Sequence, residues 1–212
     1  MFRQICMALI ILILASPLKA EDIFYENAQT GTIGFQGLRF GQPPSDDMIC
    51  IGGPCSFGQQ GKIIKKKRSI ISTYKKSKDI THYNLIEISA PKYIFWENQF
   101  FRVSFQIICK PENAEQCIDT ICSKLDRHYG LTLVGEVSEH INPQDELKVR
   151  LFLTKSGEIV EVHRYKSRGR WQQPFVRFYN KTLMDRVRLE VNPNYVPMEI
   201  NCSTKAGKWN QS

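Results

Sequence analysis

The chain has 212 residues, a formal net charge of +8, and 42% hydrophobic against 24% charged residues. After the first 20 residues no segment is apolar enough over roughly 20 positions to cross a bilayer, which excludes a membrane-spanning helix from the rest of the chain. The basic surplus speaks to solubility and to encounter with anionic lipid, polysaccharide or an acidic partner, and not to fold.

The opening MFRQICMALIILILASPLKA places Arg3 before an apolar run from Ile5 to Ala15, with Pro17 ahead of Ala20. That is the layout of a cleavable secretory signal over residues 1–20, so a soluble periplasmic or secreted chain starting near Glu21 is expected. Cys6 lies too early to be a lipidated N-terminus. Loss of Arg3 and Lys19 with the signal lowers the formal charge from +8 to +6. The six cysteines that remain are Cys50, Cys55, Cys109, Cys117, Cys122 and Cys202. An even number in an oxidising compartment predicts disulfides.

Residues 21–61 are rich in Gly, Pro and polar side chains and read as an irregular N-terminal arm, with one short strand in IGFQGLRFGQ at 33–42. A single domain follows over 62–200, and 201–212 form a C-terminal tail. The domain opens on KIIKKKRSIISTYKKSK, which carries eight bases, among them Lys65, Lys66, Lys67 and Arg68, and no acid. Such a run reads as an exposed basic loop entering a strand.

KYIFWENQFFRVSFQIIC, 92–109, gives two β-rich runs around a turn near Glu97-Asn98. In the second run Phe101, Val103, Phe105 and Ile107 alternate with Arg102, Ser104 and Gln106, the period of a half-buried strand. The alternation and the secretory start argue against an aromatic nucleic-acid stacking face. Beyond Pro111 the period changes: Ala114, Cys117, Ile118, Ile121, Cys122, Leu125 and Tyr129 recur at three- and four-residue steps until Gly130, which predicts a helix over about 113–129. Five β segments follow at 131–139, 147–154, 158–166, 174–180 and 186–191. Connectors as short as 155–157 require antiparallel hairpins, since a parallel return needs a longer crossover. The expected fold is α+β, a twisted antiparallel sheet with that one principal helix packed on it.

Cys117 and Cys122 are five apart on the helix and so point about 140° apart, beyond the roughly 7 Å Cα limit of a disulfide. Cys109, seven residues before Cys117 across a loop, is the better partner for it. Cys122 would then be a buried thiol or reach Cys202, and Cys50 and Cys55 could close locally around IGGP. The C-x₄-C spacings fit zinc poorly and a C-x-x-C redox motif is lacking, so structural disulfides are expected and no metal or other cofactor. His82, His128, His140 and His163 show no ligand spacing, and nucleophile-elbow, P-loop and dinucleotide fingerprints are missing. No catalytic residue is assigned. YKSRGRWQQPF at 165–175 sets Lys166, Arg168 and Arg170 beside Trp171, a mixture suited to polyanion, carbohydrate or protein contacts, or to a hairpin loop with its Trp folded on the core. Asn180, Asn201 and Asn210 begin glycosylation sequons that matter only in a eukaryotic secretory cell.

The signal-like start, GFQGLRFG, the hairpin YIFWENQFFRV and the helix closing in HYG together resemble a group of small exported bacterial proteins of unknown function. The resemblance covers about residues 33–135 and implies a Phe-Gly-containing opening strand before a sheet with one helix; it implies no catalytic residue. The combined reading is an exported binding or assembly module contacting an envelope protein or an anionic polymer. The alternative is a cell-envelope enzyme of unrecognised type.

Overall fold

The computed structural model describes residues 24–27, 32–53, 71–83 and 86–197. Its strands are β1 (Phe24–Asn27), β2 (Thr32–Phe35), β3 (Leu38–Arg39), β4 (Met48–Gly52), β5 (Ile71–Lys76), β6 (His82–Tyr83), β7 (Ile86–Ile88), β8 (Lys92–Trp96) and β9 (Gln99–Ile108). After helix α1 (Ala114–Tyr129) come β10 (Thr132–Asn142), β11 (Asp145–Leu153), β12 (Ile159–Ser167), β13 (Arg170–Trp171) and β14 (Phe175–Tyr179), then helix α2 (Lys181–Val191). The main sheet runs β10-β11-β12-β14-β9-β8-β5-β4, with β13 beside β12 and β7, which carries β6, beside β9; β1-β2-β3 form a small second sheet. Its pairings are antiparallel, as the short connectors require.

Three two-residue turns fix the hairpin registers. Gln36-Gly37, Glu97-Asn98 and Arg168-Gly169 all have positive φ at both positions, 48 and 75°, 48 and 63°, 51 and 75°. That geometry follows the right-handed twist of the flanking strands. The turn expected near Glu97-Asn98 is thus present, joining Trp96 to Gln99. Helix α1 follows a 3₁₀ turn at Pro111–Asn113 and stops at Gly130, whose φ of 58° is left-handed and whose N–H bonds to the Asp126 carbonyl.

Because successive strand residues point to opposite faces, the sheet has two cores. On one face α1 lays Ile118, Ile121, Leu125 and Tyr129 against Val160, Val162, Val176, Phe178, Val103 and Phe105; Phe35 and Leu38 of the small sheet join the same cluster. On the other, α2 lays Leu183, Met184 and Val187 on Leu151, Ile159, Tyr179, Phe101 and Ile94.

Three sequence expectations are corrected. Residues 186–191 are helical, not a strand: Asn180 Oδ1 accepts the Leu183 N–H at 3.0 Å to cap α2, and the buried positions Leu183, Met184 and Val187 follow a helical step. The misleading alternation of Val187, Leu189 and Val191 puts the last two in solvent, 39% and 69% exposed. Next, Phe101 does not share a face with Val103, Phe105 and Ile107. A bulge between Ile94 and Phe95 pairs Phe95 with Phe100 and Ile94 with Arg102, leaving Phe101 as the extra residue, and it packs in the α2 cluster. Finally, the arm at 21–61 is not irregular where it is described, since it supplies β1 to β4, and β4 is an edge of the main sheet.

Candidate functional site

The turn β12–β13 carries the basic aromatic stretch singled out in the sequence. Trp171 on β13 lies opposite Lys166 on β12, and Lys148 on β11 lies opposite Arg164. This register gathers three cations on one indole: the Arg164 guanidinium at 4.2 Å from the ring centroid, Lys148 Nζ at 5.4 Å and Lys166 Nζ at 5.8 Å. All lie within the reach of cation–π attraction. Two are also ion-paired, Arg164 with Glu115 and Lys148 with Glu146 at 3.4 Å. Lys166, Arg168 and Arg170 make no ion pair among the described residues, and the latter two are exposed. Arg168 is used through its backbone, donating to Asp145 Oδ1 at 2.7 Å, which clasps this turn to the β10–β11 turn. That bond, with one from Asn142, holds the Asp145 carboxyl below its ordinary range. On the reverse side of the turn Tyr165, Ser167, Arg168, Arg170 and Gln172 line an open groove of about 700 Å³. Lys166 and Trp171 therefore meet on one face, with Arg164 and Lys148 as members that the sequence reading missed, whereas Arg168 and Arg170 line the groove on the reverse side of the turn. The basic residues Lys65, Lys66, Lys67 and Arg68 lie outside the described residues, as do residues 1–20 and 201–212.

Arg164 leads from this surface to the cysteines. The first two turns of α1 are tied to the sheet by Glu115 and Asp119: Arg150 reaches Asp119 at 2.8 Å, Glu115 at 3.1 Å and, on β10, Glu136 at 3.2 Å. Cys109 and Cys117 are free, and the backbone of Cys109 is held by Gln173 at 3.0 and 2.9 Å. Burial, then the Cys117 neighbour, push the Cys109 thiol up to about 11. Cys122 is also free and is raised to about 11 by burial against the α1 core. The disulfide expected between Cys109 and Cys117 is not formed in this structure, where both are free thiols. Cys117 and Cys122 are unbridged, as helix geometry demands. Cys50 is not a free thiol, and Cys55 and Cys202 lie outside the described residues. Among the described residues no three His, Cys, Asp or Glu side chains are grouped to hold a metal.

The opposite face carries a second cluster that sequence reasoning missed. Across β9, β14 and β12 the register sets Arg102, Tyr179 and Ile159 in one row, Ser104, Arg177 and Glu161 in the next, and Gln106, Phe175 and His163 in a third. Glu161 is the hub: its carboxylate accepts from Tyr179 Oη at 2.7 Å, lies 2.9 Å from His163 Nε2 and 3.6 Å from Arg177. Burial alone would raise its pKa, but the bonds from His163 and Tyr179 and the charge of Arg177 hold it below the usual carboxylate range. His163 stacks on Phe175, centroids 4.4 Å apart, and Arg177 sits over the same ring at 5.0 Å. The signal for part of this was present, since Glu161 and His163 are two apart on a strand and must share a face. The contributions of β9 and β14 were invisible without the pairing. A carboxylate orienting an imidazole can serve acid–base chemistry, yet no hydroxyl or thiol nucleophile bonds to His163 among the described residues.

Comparison with protein-family models, curated proteins and solved structures finds no match.

Proposed function

We propose that this protein is an exported binding module whose β12–β13 surface contacts an anionic polymer of the cell envelope. The observation that carries the reading is the Trp171 platform, three cations around one indole, with the exposed Arg168 and Arg170 on the other side of the same turn. Packing on the ring limits the motion of long basic side chains, so less conformational freedom is lost when an anion binds. The clasp through Asp145 fixes the turn that presents them. The secretory character of residues 1–20 and the resemblance to small exported bacterial proteins supply the compartment. Disulfides between Cys109 and Cys117 and between Cys50 and Cys55 belong to the same proposal, since an oxidising compartment favours the pairing of cysteines.

The test is retention of the purified chain on an immobilised anionic polysaccharide over a salt gradient. Early elution with salt, advanced further by Lys166→Ala with Arg170→Ala, supports the reading, because screening weakens exposed charges. Retention unaffected by salt, or capture only by an envelope protein, overturns the polymer assignment.

A further inference from the structure

We infer that the α2 face holds a second binding site, independent of the Trp171 surface, for a phosphate-type oxyanion seated between Arg102, Arg177 and Arg188. Arg102 and Arg177 project from adjacent strands in neighbouring rows of the grid, Arg102 opposite Tyr179 and Arg177 opposite Ser104. Arg188 comes down from α2, with its NH1 2.9 Å from Tyr195 Oη.

Charge counting gives the reason. Three arginines stand against one strand carboxylate, Glu161, which is already engaged by Tyr179 and His163 and pairs with Arg177 alone of the three, at 3.6 Å. The acids of α2 are already engaged: Asp185 by Lys181 at 2.6 Å and by Tyr195 Oη, the partner of Arg188, at 3.1 Å, and Glu190 by Trp96 Nε1 at 2.6 Å. Arg102 is the telling member. Among the described residues its guanidinium makes no hydrogen bond and no ion pair, lying only near the Phe101 ring at 5.8 Å, and its Nε is fully buried without a partner. A partly buried guanidinium facing like charges and lacking an acceptor is costly. Burial and the charge of Arg177 both disfavour its protonated form. An oxyanion supplies what is missing, because phosphate accepts the planar fork of an arginine through two oxygens at once and neutralises more than one cation. Ser104, in the row of Arg177, and His163, in the row beside it, add polar neighbours on the same face.

Two sources share this chemistry, a free phosphate compound and a phospholipid headgroup, and separate arms distinguish them. Calorimetric titration with inorganic phosphate, against chloride of matched ionic strength, should show saturable binding at one site. Arg102→Gln should weaken it at least tenfold, and Arg102→Lys should restore only part of the loss, since charge returns without the fork. Lys166→Gln, on the opposite face, should leave it unchanged, so that this site and the Trp171 surface fail or succeed separately. Should Arg102→Gln not fold, Arg177→Gln gives the same readout from a more exposed position. Co-sedimentation with phosphatidylcholine vesicles containing phosphatidic acid is the second arm. Arginine-dependent binding to vesicles without binding of free phosphate assigns a headgroup as the source. Saturation by neither probe, or a folded Arg102→Gln that binds like the parent chain, overturns the proposal.

Discussion

His163 and Arg164, consecutive on β12, serve opposite faces of the sheet: His163 stacks on Phe175 at 4.4 Å, while Arg164 lies over Trp171 at 4.2 Å. One strand thereby feeds two polar clusters that share no side chain. Trp171→Ala should leave the α2 face untouched and loosen Lys148, Arg164 and Lys166 together. Loss of about 1 kcal/mol of ordering, near fivefold in affinity for an anionic polysaccharide, is expected with unchanged circular dichroism. An unchanged affinity would remove the ring from the binding surface.

The thiols give a second expectation. With Cys109 and Cys122 both raised to about 11 by burial, alkylation of these two residues in the reduced native chain by iodoacetamide, followed by peptide mapping, should be slow at pH 7 and quicken about tenfold per pH unit. Non-reducing peptide mapping of oxidised protein should find Cys109 joined to Cys117 and never Cys117 to Cys122. Once that bridge has formed, Cys109→Ser should cost about 2–3 kcal/mol in urea unfolding.

Glu161 sets an acid limit. Its folded pKa lies below the unfolded value of about 4.3, so the stability it contributes is complete above that value and fades as pH falls through the folded one. Glu161→Gln should abolish this part of the slope, giving a flatter dependence of unfolding free energy between pH 5 and pH 2. Parallel profiles for variant and parent would contradict the hub role.

Helix α2 can be told from the strand that its sequence suggests by two pairs of substitutions. Leu183→Ala should cost about 2 kcal/mol or more, whereas Leu189→Ala should fall within roughly 0.5 kcal/mol of zero, because only the first is buried. Asn180→Ala should cost about 1 kcal/mol by removing the cap on the Leu183 N–H, and Asn180→Asp should recover it. Thermal or urea unfolding measures all four.

Local periodicity was enough for α1, for the β8–β9 turn and for most strands of the second half, because turn chemistry and burial agree there. It failed where two periods overlap. Val187, Leu189 and Val191 alternate, but the Asn180 cap and the depth of Leu183 and Met184 decide the matter. Phe101 was assigned to the wrong face because a bulge changes the parity of a strand without marking the sequence. The Trp171 surface was half legible, since its linear neighbours stand together in the chain while Lys148 reaches it only through the β11–β12 register. The Arg102–Glu161–Arg177 cluster was illegible, being spread over three strands that meet by long-range pairing.

That pairing also imposes an order of events on the growing polypeptide. β9 gains β8 at once across Glu97-Asn98 and β7 at its far end, but β14, its neighbour along the main sheet, is roughly 70 residues further on, where Phe175 meets Gln106. Until then a ten-residue strand carrying Phe100, Phe101, Phe105 and Ile107 presents a bare hydrogen-bonding edge. Such an edge recruits strands from other chains. Ribosomal pausing or truncation between residues 109 and 174 should therefore yield aggregates more readily than a break after β14, and the nascent chain is most in need of a holdase over that interval.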